Sequence, residues 1–139
     1  ADFDESLKSV ITSLLYTDVS PKNKYFITFN QWFDDSLQKE VSSQPIYYPS
    51  INKKNLEDFK TKYFNNFNEY PNHISLLSYD LIGLIYYLSR KNNISEIQKS
   101  FKSKNSFKGK IGVFDIKDNK INHQLNFYQI EEGSIKKIF

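Results

Sequence analysis

The sequence predicts an α/β fold, and three observations carry that prediction. Apolar residues recur at helical spacing in several separate stretches. A short β-type run follows the first of them. Residues 110–139 then switch to strand-like alternation, punctuated by turn dipeptides. At 139 residues the chain fits one domain with enough length to bury a core.

The first element is "DESLKSVITSLLY", where Leu7, Val10, Ile11, Leu14 and Leu15 recur at three and four. Asp2, Asp4 and Glu5 stand at the positive end of its dipole. "SPKN" breaks the pattern, and "KYFITFN" is a continuous β-type run. "QWFDDSLQKEV" reads as a loop with a short helix, and "QPIYYPS" as an extended segment held open by Pro45 and Pro49.

Asn52 or Ser50 is placed to cap the next helix, whose face carries Leu56, Phe59, Tyr63 and Phe67. After "NEYPN", Asn72 is a candidate N-cap for a long helix from about His73 to Arg90. Its expected apolar stripe is Ile74, Leu77, Leu81, Leu84 and Leu88, widened by Ile82, Ile85 and Tyr86. A shorter helix is expected over residues 95–101. Beyond "KNSFKG" the alternation predicts a strand, a turn at Asp118-Asn119, a strand, a turn at Glu132-Gly133 and a short final strand.

Composition excludes several functions. The chain has no cysteine, so neither disulfides nor thiolate metal sites are available. Its net charge of +3 comes from lysines scattered among acids, without the clustered basic surface of a nucleic-acid groove. The lysine, asparagine and isoleucine bias with a single alanine is what AT-rich codons produce. No stretch has the apolar length of a membrane span, and no signal peptide is visible. The absence of methionine and the start at Ala1 fit a processed protein or a piece of a longer one.

Catalytic chemistry finds little support. His73 and His123 lie far apart without acidic partners at ligand spacing, so no metal site is expected. "GKIG" lacks the spacing of a phosphate loop. The pairs Asp34-Asp35, Glu57-Asp58 and Glu131-Glu132 are sequence neighbours whose side chains diverge, which suits solvated surface better than acid/base work. Tyr79-Asp80 lies mid-helix beside the apolar stripe. A carboxylate bordering a core accepts hydrogen bonds, so Asp80 reads as a tether more readily than as a catalyst.

Taken in order, "NLEDFKTKYFNNFNEYPNHISLLSYDLIGLIYYLSRKNN" and "FKGKIGVFDIKDNKI" resemble the C-terminal portion of type I periplasmic solute-binding proteins, the Leu/Ile/Val-binding class. Phe59, Tyr63, Tyr70, Pro71, Tyr79 and Asp80 match the helical part, and Phe107, Gly109, Gly112, Phe114 and Asp115 match the later segment. "YFITFNQWFDDSL" is similar to the strand and loop before a crossover. "WFDDSL", "YYP" and "LLSYD" also resemble the LppC-type penicillin-binding protein activators of the same superfamily.

The resemblance implies a two-lobed fold of Rossmann-like layers ending in a β-hairpin, with an α/β layer beneath the long helix. Residues 1–43 and 113–139 would belong to one lobe and 46–111 to the other, with crossings at "IYYPS" and around 111–115. It implies a non-enzymatic protein of the bacterial periplasm, lipid-anchored in the activator branch. No cofactor and no nucleic acid are implied. A small polar solute such as an amino acid would bind in the cleft for uptake through an ABC-type permease. In the activator branch the partner is a cell-wall synthase instead.

Tyr79, Asp80, Gly109 and Gly112 are then structural marks, and Asn30, Gln31, Trp32, Tyr47 and Tyr48 are cleft candidates. Asn30 falls where the class carries an acid for the ligand's amino group, and a neutral amide supplies no charge for an ammonium. Trp32 suits a ligand platform and a plug over the sheet equally.

Overall fold

The computed structural model describes residues 4–29, 36–91, 96, 99, 106–110, 112–117 and 120–139. It is mixed α/β, with a four-stranded and a three-stranded sheet. The chain divides into two compact units, residues 1–50 with 126–139 and residues 51–125.

In the first unit, helix α1 (Asp4–Leu15) precedes strand β1 (Phe26–Ile27), helix α2 (Ser36–Lys39), a 3₁₀ turn (Val41–Ser43) and strand β2 (Ile46–Ser50). β1 and β2 are parallel neighbours, so residues 28–45 form a crossover containing α2. The β-type run shortens to two paired residues. Strands β6 (Asn126–Glu131) and β7 (Ser134–Lys137) complete the sheet in the order β1-β2-β6-β7, both added antiparallel.

The pleat decides which side chains are buried. Ile46 and Tyr48 point to one face, where they pack with Tyr128 and Ile130 against Ile11 of α1 and Leu37 of α2. The β6–β7 turn has Glu132 and Gly133 both at positive φ, 50° and 69°, the geometry of a two-residue hairpin that matches strand twist. Two glutamines clip that turn to the helical layer. Gln38 Nε2 donates to Gly133 O at 2.7 Å, and Gly133 N donates to Gln44 Oε1 at 2.9 Å. Gln44 Nε2 in turn donates to the carbonyls of Leu37 and Gln38.

The second unit holds α3 (Lys53–Phe67), α4 (His73–Lys91) and strands β3 (Ser106–Lys108), β4 (Val113–Lys117) and β5 (Lys120–His123). Asn52 caps α3 by accepting from Asn55 N, and Asn72 caps α4 by accepting from Ser75 N. α3 ends on Asn68 in the left-handed conformation. Leu84 and Leu88 of α4 pack on Phe114, with Phe107 and Ile116 alongside.

Several expectations are corrected. β4 and β5 belong with the long helices, because β4 pairs with β3 and β5 and seats Phe114 on α4. The chain therefore returns to the first unit at Leu125/Asn126, not near 111–115. The alternating stretch after Lys120 is two strands, β5 and β6, and "SFK" is a strand. The sheet on α4 is an antiparallel meander rather than a Rossmann-like layer. Links of four and two residues, 109–112 and 118–119, are far too short for a parallel crossover.

The buried stripe of α4 is Leu76, Asp80, Leu84 and Leu88, while Ile74, Leu77 and Leu81 are exposed. The expected helix over 95–101 falls largely outside the described residues. No helix among the described residues is long and apolar enough to cross a membrane.

Gly83 tests the energetics of α4. It is exposed in the helix interior, and a Cβ there meets nothing within 4 Å. Gly83→Ala should stabilise the protein by about 0.5–1 kcal/mol through reduced unfolded-chain entropy. The check is a higher denaturation midpoint at unchanged m-value.

Candidate functional site

Tyr79 and Asp80 point different ways, as adjacent helical residues must. Tyr79 is 56% exposed and meets Phe59 of α3 edge-on, ring centroids 5.4 Å apart. Asp80 is buried, and its Oδ1 accepts from the backbone N–H of Lys110 at 2.7 Å. The Lys110 amide belongs to the β3–β4 turn, which is closed by Gly109 N donating to Gly112 O at 2.8 Å. A Cβ on Gly109 would overlap the Asp80 carboxylate, so only glycine leaves room. Gly112 has φ +146°, a backbone conformation that other residues rarely adopt. Asp80, Gly109 and Gly112 thus form one local device that pins a hairpin to a helix.

A groove of about 680 Å³ lies beside that device, within the second unit. Phe59, Tyr63 and Phe67 supply the α3 wall; Ile74, Tyr79 and Ile82 supply the α4 wall. The α3 rings follow one another at i, i+4 and i+8, with centroids 5.8 Å and 4.6 Å apart. Lys62 and Lys110 also line the groove. Asp80 sets the position of Lys110 by holding its amide.

The cleft candidates divide. Tyr48 is buried and stacks on Tyr128 in the first unit's core, so its ring is packing. Tyr47 lies on the opposite sheet face, between Tyr25 at 5.9 Å and Phe127 at 6.4 Å. Phe127 continues to Phe139 at 6.1 Å, giving a row of four rings. Asn30, Gln31 and Trp32 lie outside the described residues. His123 sits over Phe114 at 5.4 Å. Among the described residues, no three His, Cys, Asp or Glu gather as metal ligands would.

Sequence reasoning missed Gln44, Lys62 and Lys110. Gln44 follows a polar stretch, and the two lysines are among many, so nothing local distinguishes them. Comparison with protein-family models, curated proteins and solved structures returned no match to this chain.

The tether can be tested by a double-mutant cycle. Asp80→Ala removes the acceptor of the Lys110 amide and should cost about 1–3 kcal/mol. Gly109→Ala should also destabilise, by displacing that carboxylate. The double variant should cost clearly less than the sum, because truncating the side chain at position 80 frees the space that the added methyl at position 109 needs. Equilibrium denaturation of the four proteins measures the coupling, and strict additivity would refute the steric account.

Proposed function

We propose that the chain is the C-terminal portion of a type I solute-binding-type protein, non-enzymatic and extracytoplasmic, taking an amino acid or similar small polar solute for ABC-type uptake. One observation carries the proposal. The chain leaves the first unit after Ser50 and re-enters it at Asn126, and these two residues are partners on the same rung of the β2–β6 ladder. Two chain passages between compact units that leave side by side from the ends of adjacent strands are the form a hinge takes in proteins that close on a ligand.

The β1–α2–β2 parallel crossover supports a Rossmann-like layer in the first unit, and the antiparallel sheet on α4 is where the chain departs from that layout. The non-enzymatic part is supported by the occupied state of Asp80, whose carboxylate holds a backbone amide.

A second reading is favoured by α4. Leu81, Ile82, Ile85 and Tyr86 are each at least half exposed, an apolar surface suited to protein contact. It fits a penicillin-binding protein activator-like envelope lipoprotein, with a cell-wall synthase as partner and no small ligand.

A thermal-shift screen of the complete protein against amino acids and polar solutes separates the two. A ligand at a hundred times its Kd adds about 2.7 kcal/mol of stability. The solute-binding reading expects a saturable rise with one solute class. Flat curves across the panel, together with capture of a cell-wall synthase, would replace it with the activator-like reading.

A further inference from the structure

The α3–α4 groove lies within the second unit and has no part in the hinge on which the proposed function rests. Part of its apolar wall is open to solvent, with Phe67 63% exposed, Ile74 70% and Ile82 66%, while Phe59 is buried. Water-facing apolar surface of this kind, flanked by polar side chains, marks a place where something binds. The volume of about 680 Å³ matches a small molecule rather than a protein face.

The charges that meet the groove are all of one sign. Lys62 and Lys110 line it, and no aspartate or glutamate does. Elsewhere in the fold Lys8, Lys60 and Lys136 are matched by Glu40, Glu57 and Glu131 at 3.4–3.8 Å. Among the described residues, Lys62 and Lys110 have no such carboxylate, which is true of most of the lysines, so what marks these two is their place in a groove lined by no acid. Asp80 is buried and directed at the Lys110 amide, Glu57 is engaged by Lys60, and Asp58, one turn before Lys62 on α3, does not line the groove.

Ring geometry narrows the apolar half of the ligand. The contacting pairs Phe59–Tyr63, Tyr63–Phe67 and Phe59–Tyr79 are inclined at 44°, 46° and 69°, so these rings form an irregular wall of faces and edges and not one flat stacking surface. The α3 strip is long and narrow instead: the eight residue steps from Phe59 to Phe67 rise about 12 Å. An extended, flexible hydrocarbon follows such a strip, meeting faces and edges in turn.

We propose that the groove between α3 and α4 binds a medium-chain alkyl carboxylate, its chain along Phe59, Tyr63 and Phe67 and its carboxylate between Lys62 and Lys110. The bond from Asp80 to the Lys110 amide keeps one of the two cations at the groove. The lining residues all belong to the second unit, and the site does not depend on the solute-binding reading.

Titration of the intact protein with decanoate, decanol and 2-naphthoate tests the proposal, by calorimetry and by amide chemical shifts. Decanoate should bind saturably at one site, move the Ser75, Ser78 and Lys110 amides, and outcompete both other probes. The Lys62→Gln/Lys110→Gln variant should lose about tenfold or more in decanoate affinity, with decanol unchanged and the thermal midpoint of the free protein preserved. Lys62 is exposed and Lys110 half-buried, so Lys62→Gln alone, read in the same way, gives a second test should the double variant fold poorly. Decanol binding as tightly as decanoate, naphthoate binding more tightly, indifference to the lysine substitutions, or shifts confined to other residues would each overturn it.

Discussion

The hydrogen bond from the Lys110 amide to Asp80 is the constraint from which the second unit is organised. A carboxylate in the buried stripe of a helix needs a donor, and here the donor is the backbone of a β-turn. Meeting that need fixes which hairpin lies against α4, and leaves Phe114 on Leu84 and Leu88. It also forbids a side chain at residue 109. One polar requirement thereby selects a helix face, a turn residue and a packing partner together. An apolar residue at position 80 would leave the register of hairpin against helix to less directional contacts.

The local chemistry of this fold was readable in advance, because it depends on neighbours in sequence. Asn52 and Asn72 cap helices because a short amide side chain reaches the third amide ahead. "IYYPS" forms β2, and Glu132-Gly133 makes the turn it advertises. The buried face of α4 was misjudged, since hydrophobicity assigned Ile74, Leu77 and Leu81 inward while Asp80 took the inner position. Periodicity counts apolar atoms and cannot see a distant amide waiting for a carboxylate.

Long-range partners explain the other misses. β5 and β6 form one continuous alternating stretch in sequence, yet they pair into different sheets, so nothing local marks the boundary at Leu125. "SFK" is too short for propensity to matter and becomes β3 because β4 lies beside it. Gln38 and Gln44 were invisible for the same reason: the turn they hold at Gly133 is 95 and 89 residues away. Of the candidate ligand residues, Tyr48 proved to be core and Tyr47 part of an exposed-face aromatic row. Identical neighbours took opposite environments because the pleat alternates.

The shared rung of Ser50 and Asn126 has a topological consequence. Seen from the first unit, everything from Ile51 to Leu125 is an insertion at the tip of a hairpin. Its two ends meet at the spacing of adjacent strands, about 5 Å. A tight turn in place of those residues would join β2 to β6 as an ordinary hairpin and leave the β1-β2-β6-β7 order intact. The larger unit is therefore modular in the genetic sense: gained, lost or exchanged as a single cassette, it leaves the ladder that carries it unbroken.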